Sequence, residues 1–559
     1  MVGRILQTLT APVRGLHQAA YVLAGLTLAS QALALLRDRL FAHQFGASEV
    51  LDLYYAAFKV PDLVFALVAS LVSAYVLIPR IAGGKREESR RLISQTASFL
   101  FIAGGGICVL LALFARPLLF ALFPDAAASP DADGFVLLAR ILLIQPILLG
   151  LSGIATSVTQ VKRRFALFAL SPVLYNIGII AGAWLLYPAY GLPGIGMGVV
   201  AGALLHLAIH IPVLAHSGLL PALTLPKPRE LWEVMRDSVP RSLALSMGSL
   251  TALLLTMLAA DAGEGSITVL SLALNLQAVP LSLIAASYAT AAFPVLAESM
   301  EAKKYDAFKA TLSAAARHII FWSAILSVLI LVLRAHIVRI VLGTGAFDWD
   351  ATRLTAAILA LLVVGLMAQG LVLLASRAFY AAKRSWNPLL IQAAGLLVSV
   401  GGAMGLLALA RVFPDVRYFV EALLRVEEVP GTEVLLIAAG AMLGSVVSGA
   451  LALITLGQVA PGVAKGLMRP IAEGLAAAIL GGAAAYGVLS YLGNLAPLTT
   501  LVFVFTEGVL AGMVGLAVAA AVLALLANRE FKDLVDSLKR LRLSAVKPSG
   551  PVLSDRTDA

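Results

Sequence analysis

Apolar runs of bilayer-crossing length recur from one end of the chain to the other. A transmembrane helix needs about 20 apolar residues. On that rule the sequence predicts about fourteen spans, at 17–44, 54–79, 96–123, 135–160, 165–187, 191–216, 237–260, 267–297, 312–343, 351–380, 387–412, 434–458, 470–493 and 499–527. The fold class is therefore an all-α polytopic membrane protein. Of 559 residues, 60% are hydrophobic and 13% charged. Soluble domains carry about 25% charged residues, so a water-soluble fold would have too little polar surface to cover itself. The single cysteine, Cys108, lies in an apolar run and reads as helix- or lipid-packed, not reactive. The first apolar stretch, after Arg4 and Arg14, is too long for a signal-peptide core and reads as the first span.

The connections alternate in charge. RIAGGKREESRR, VKRR, PKPRELWEVMRDSVPR, ESMEAKKYDAFK, AAKRSWN and the tail NREFKDLVDSLKRLR are basic or rich in Lys and Arg. PDAAASPDADG, YPAYGLPG and DAGEGS between them carry none. By the positive-inside rule both termini and every even-numbered loop are cytoplasmic. The net charge of +10 is thus a topology signal and does not point to nucleic acid. Arg334 and Arg339 near a helix end read as snorkelling side chains. The segment at 410–433, with Arg417 and Arg425, predicts a short amphipathic helix on the outer surface.

Weak internal similarity divides the chain. Pro61 and Pro280 sit one span before Pro79 and Pro294, and VKRRFALFALSP and AAKRSWNP each set a basic pair before Pro172 and Pro388. This predicts two six-helix lobes in parallel orientation, 1–216 and 237–458, joined by a cytoplasmic linker at 217–236. Spans thirteen and fourteen (459–527) and a cytoplasmic tail (528–559) follow, with disorder expected over 545–559. Parallel repeats place a transport path between the lobes.

Charges inside spans are costly and tend to face a wet cavity or a partner. SQALALLRDRLFAHQFGASEVLDLYYAAFKVP sets Arg37, Asp38 and Arg39 inside the first span. Arg37 lies roughly 13 Å below the helix end at Gly46. Successive helical residues point about 100° apart, so the three cannot share one cavity. Arg37 is assigned to the path, where its planar fork suits phosphate, or to a structural ion pair. Asp38 is its neutralising partner or a partner for another span, and Arg39 snorkels or pairs. Asp52 reads as the N-cap of the second span, and Lys59 as an outer cavity residue or a snorkelling one. His206 and His210 share a helix face; without a third ligand, helix–helix hydrogen bonding is favoured over metal. Asp348 and Asp350 read as caps. No catalytic signature is present in the sequence, so transport must draw on a gradient or potential, and no cofactor or metal is implied.

The same stretch resembles the opening of the MurJ (MviN) family of lipid II flippases. RRFALFALSPVLYNIG, PLSLIAASYATAAFPVLAE, GTGAFDWDATRLTAA and SRAFYAAKRSWNP resemble the family in its order, over roughly residues 20–400 and more weakly to about 527. The resemblance implies two lobes around a cationic cavity, a lipid-tail groove on the last two helices, and movement of a polyprenyl-pyrophosphate-linked saccharide from the inner to the outer leaflet of the bacterial cytoplasmic membrane. Membrane lipids and cell-wall synthesis proteins are the implied partners. By position, Ser30, Arg37, Asp38 and Asn275 match the substrate cavity, with Lys59 as a further cation, and Asp52 matches a gate. Departures are several: Gln31, Phe65, Ala66 and Asn275 stand where the family carries arginines, and Ser70 and Leu71 replace its Glu-Gly pair. Spans seven and eleven lack the carboxylates with which some members hold sodium. Two alternatives accompany this expectation: export of another lipid-linked glycan or amphiphile, and a non-transporting scaffold acting through its tail or the 410–433 loop.

Overall fold

A computed structural model describes residues 16–68, 74–225, 236, 238–493 and 500–536. The expectations for Ser70, Leu71, half of the 217–236 linker (226–235) and residues beyond 536 lie outside the described residues. Along the chain run α1 (Leu16–Phe45), α2 (Glu49–Val68), α3 (Ala74–Gly83), α4 (Arg86–Leu113), α5 (Ala115–Leu122) and α6 (Ala132–Val161). Next come α7 (Phe165–Tyr190), α8 (Leu192–Ser217), α9 (Val239–Ala260), α10 (Ser266–Glu301) and α11 (Tyr305–Val341). The last are α12 (Trp349–Val364), α13 (Leu366–Ala381), α14 (Trp386–Val412), α15 (Asp415–Leu424), α16 (Glu433–Leu456), α17 (Val463–Gly493) and α18 (Leu501–Leu525). Among the described residues 11 helices are long and apolar enough to cross a membrane, or 12 if α12 and α13, bent by 47° at Gly365, form one span.

Several helices start earlier than apolar content predicts. α4 begins at Arg86 where residue 96 was expected, and α11 at Tyr305 where 312 was expected. The added turns are polar, and Glu87, Glu88 and Asp306 stand in the first turns, where carboxylates complement the helix dipole. Hydropathy marks the part inside hydrocarbon, not the whole helix. The described helices meet in basic turns at one end of the bundle and mainly acidic or neutral turns at the other. Three basic turns share one geometry. Arg163, Lys303 and Lys383 have φ of 55°, 56° and 56°. The next residue's N–H bonds the carbonyl five back, Arg164 to Thr159, Lys304 to Ser299 and Arg384 to Phe379. This is the Schellman closure of a helix C-terminus.

Small residues let helices close on one another. A Cβ at Gly182 of α7 would stand 2.6 Å from the Cα of Gly198 in α8. One at Gly440 of α16 would stand 2.5 Å from the backbone N of Ala403 in α14. α1 packs on α7, α2 on α9 and α10, α9 on α14, and α17 on α11 and α18. Cys108 is buried as expected. α15 confirms the short helix in the 410–433 segment; its Phe419 and Leu423 point outward, while Glu421 is buried and accepts from Thr432. Arg339 lies over the Trp349 ring at 5.6 Å.

Candidate functional site

The interior charges of α1 are held by three neighbours. The Arg37 guanidinium donates to Asp38 Oδ1 through Nε (3.0 Å) and Nη2 (2.7 Å), and through Nη1 to Asn176 Oδ1 of α7 (3.1 Å). Asp38 Oδ2 accepts from Asn275 Nδ2 of α10 at 3.1 Å. The Asp38 side chain is 4% exposed and that of Arg37 19%. Adjacent residues diverge on a helix, but the long arginine stem bends its fork back onto the neighbouring carboxylate. Arg39 points elsewhere and donates to the carbonyls of Ile340 and Val341, the unsatisfied end of α11.

Asp52 corrects the sequence reading. It does not cap its own helix. Its Oδ2 accepts from the Gly265 N–H (2.6 Å), and its Oδ1 from the Thr268 N–H (2.7 Å) and Thr268 Oγ1 (2.6 Å). It therefore caps the start of α10, more than two hundred residues away. Gly265, with φ of 80°, lets the α10 N-terminus approach; a Cβ there would meet the Ala47 carbonyl oxygen at 2.7 Å. Beside it the Ala346 N–H bonds the His43 carbonyl at 3.0 Å, and His43 Nδ1 meets Thr344 Oγ1 at 3.1 Å. The acidic end is thus closed between α1–α2 and the turns before α10 and α12.

A third contact completes a series. Gln31 Nε2 of α1 donates to Ser282 Oγ of α10 at 2.8 Å. Thr268, Asn275 and Ser282 are each seven residues apart, so they form one stripe of α10, with rungs roughly 10 Å apart. α1 and α2 engage that stripe through Asp52, Asp38 and Gln31. At the C-terminal end of α2, Ser242 Oγ of α9 donates to the Leu67 carbonyl at 2.6 Å.

The other sequence-selected residues are less connected. Ser30 and Lys59 are half-buried. Lys59 interacts with Asp62 on the same helix; sequence reasoning passed over Asp62, although a carboxylate three residues from a lysine on a helix is a pairing signal. Asn176 was also missed, since nothing local marks it. His206 and His210 do bond between helices: His206 Nδ1 to Ser152 Oγ (2.7 Å), and His210 to Thr156 (3.0 Å) and Thr159 (3.1 Å). Asp348 caps α12 through the Ala351 N–H at 2.8 Å, while Asp350 faces Arg353 at 3.9 Å instead. Among the described residues no group of three or more His, Cys, Asp or Glu could hold a metal.

A bundle of long apolar helices, with the charges of α1 held against α7, α10 and α11, defines a polytopic helical membrane protein. The solved structures agree. A lipid II flippase MurJ in an inward closed conformation superposes with TM-score 0.71 at 18% identity, covering 91% of this chain and 100% of the other. An inward-facing multidrug-resistance MATE-family transporter of the MOP superfamily gives 0.61 at 16% identity, over 80% and 99%. The family model described as lipid II flippase MurJ matches residues 41–506, so the chain belongs to that family. Among curated relatives, the lipid II flippase MurJ of Burkholderia cenocepacia is 25% identical over 399 residues, covering 69% of this chain and 77% of its own. A probable lipid II flippase MurJ of Haemophilus influenzae is 26% identical over 405 residues, covering 67% and 78%.

Proposed function

We propose that the protein is a lipid II-type flippase, moving a polyprenyl-pyrophosphate-linked saccharide from the inner to the outer leaflet by alternating access. Family membership over residues 41–506 carries this reading. The arrangement has fourteen spans, as two lobes (1–216 and 237–458) with α17 and α18 beside them to accompany the lipid tail. The basic turns lie in the cytoplasm with both termini, and cell-wall synthesis proteins are the partners this role would bring.

In this state the substrate groups are engaged with one another. Asp38 occupies the fork of Arg37. A phosphate would take the place of Asp38, and Asn275 would keep the displaced carboxylate hydrogen-bonded. Lys59 and Ser30 would extend the contact along α1 and α2, and Asp52 would act as the gate. Arg37→Ala tests it in a flippase-depleted bacterium: loss of rescue with wild-type membrane levels of protein is expected, and normal growth overturns the assignment.

One observation favours the second reading, a less charged lipid-linked glycan or amphiphile. Arg37 with Asp38, and Lys59 with Asp62, leave this region with no net charge, whereas a pyrophosphate carries two or more negative charges.

A further inference from the structure

A cavity of about 310 Å³ opens at the acidic end of the bundle, between α11, the start of α12 and α18. That volume is at the lower edge of the range for small-ligand sites. Ala335, His336 and Arg339 of α11, Trp349 of α12 and Val504 of α18 line it, with neither Asp nor Glu among them. Arg339 stands two residues from the end of α11, about 3 Å below it, at the depth where headgroups meet hydrocarbon. Its guanidinium carbon is 5.6 Å from the centre of the Trp349 ring. Stacking holds one face of the fork and leaves the in-plane N–H donors at its edge. Among the described residues no acceptor or carboxylate takes those donors. Other arginines at this end are engaged, Arg353 with Asp350 at 3.9 Å and Arg417 with Glu421 at 3.1 Å. His336 forms the deeper wall. Its Nε2 faces Glu507 Oε2 of α18 at 3.4 Å, and its Nδ1 is buried with no hydrogen-bond partner among the described residues. The Glu507 carboxylate is buried behind it and outside the lining, so the cation at the mouth is Arg339.

The surroundings face lipid. Trp349 is 51% exposed, as an interfacial aromatic is, and Val502 and Phe505 of α18 beside Val504 are exposed and apolar. A free guanidinium and an indole at headgroup depth, next to an apolar helix face, match the two parts of a phospholipid. We propose that this cavity is a lipid site in which Arg339 binds the phosphate of an anionic phospholipid from the leaflet at the acidic end. Trp349 packs beside the glycerol region, and the acyl chains lie along Val502 and Phe505. The planar fork suits two phosphate oxygens. A net-anionic headgroup is favoured, because a zwitterionic one brings its own cation toward Arg339. The lipid is retained, not translocated, and the inference does not rest on the flippase reading.

The test uses the full chain in nanodiscs of phosphatidylcholine and phosphatidylglycerol in equal amounts, with retained lipids counted by native mass spectrometry. Wild type should retain phosphatidylglycerol in preference to phosphatidylcholine. Arg339→Gln should lower that preference about fivefold. Arg116→Gln removes an exposed cation at the same end, paired with Asp133 at 2.8 Å, and should change the preference by less than about twofold. If the Gln variant does not fold, Arg339→Lys keeps the charge, loses the fork and should still lower the preference about twofold. Phosphatidylglycerol with a photoactivatable headgroup should label the protein between Ala335 and Arg339 or around Val504. Equal retention of both lipids by wild type, an unchanged preference in the folded Arg339 variant, an equal fall in Arg116→Gln, or labelling confined to other segments would each overturn the proposal. None of these results bears on flippase rescue, which is read separately in cells.

Discussion

Asp52→Asn should release the closed acidic end. The carboxylate accepts three hydrogen bonds from the start of α10, at 2.6, 2.7 and 2.6 Å. Hydrogen bonds to a charged group contribute about 1.5–3 kcal/mol each. Asparagine keeps one acceptor oxygen, and its NH2 then faces backbone N–H groups. One or two bonds are lost and a donor meets donors, so the closed form should weaken by about 2–4 kcal/mol. Since 1.4 kcal/mol is tenfold, the closed-to-open ratio falls roughly 30- to 700-fold. Spin labels on exposed Ala128 and Glu427, in a background lacking Cys108, report the separation across this end by double electron–electron resonance. The variant should shift the distance distribution to a longer component that wild type lacks. Thr268→Val removes one bond of the three and should give a smaller shift in the same direction. Identical distributions in wild type and Asp52→Asn would show that the cap does not hold the two sides together.

Three further outcomes follow from named contacts. Gly182→Ala should lower thermal stability by about 1–3 kcal/mol, because its new methyl group would overlap the Gly198 backbone; an unchanged melting temperature refutes that closeness. His210→Ala removes the partner of Thr156 from a fully buried site and should cost about 2–4 kcal/mol. His210→Gln should cost less, and added zinc should change neither. Gln31→Arg gives up the bond to Ser282 and places a second cation near Arg37, which should tighten retention of a pyrophosphate-linked lipid about five- to tenfold in native mass spectrometry; equal or weaker retention counts against the phosphate reading of that region.

The all-helical membrane class was legible because burial in hydrocarbon writes itself into consecutive residues; against fourteen expected spans, 11 or 12 helices among the described residues are long and apolar enough to cross. The helix ends were less so, as α4 and α11 show: a polar turn outside the bilayer stays helical by capping and dipole effects that hydropathy does not register. At the candidate site, local pairs could be read. Arg37 with Asp38 is adjacent in sequence, and His206 with His210 one turn apart. Asp52 could not be read, because its donors belong to residues 265 and 268 and a carboxylate near a helix start looks the same whichever helix it caps. Asn176 is likewise a neutral residue in an apolar helix, made important only by α7 lying against α1.

The three rungs on α10 give the interior pair a role beyond neutralisation. Asp38 joins two systems: one oxygen holds Arg37, and the other takes the Asn275 amide in the middle of the Thr268–Asn275–Ser282 stripe. A ligand that captures Arg37 frees one carboxylate oxygen in a poorly solvated space, where an unpaired charge is costly. The carboxylate must then move toward new donors or take up a proton, and either change alters the Asn275 contact. On the proposed reading, binding at Arg37 would be coupled to how α1 and α2 sit on α10, midway between the Asp52 cap and the Gln31–Ser282 bond. Weakening the middle rung affects both ends because all three are carried by the same face of one helix. The charge pair that leaves the resting site neutral is therefore also the element through which an anion could loosen the closed bundle.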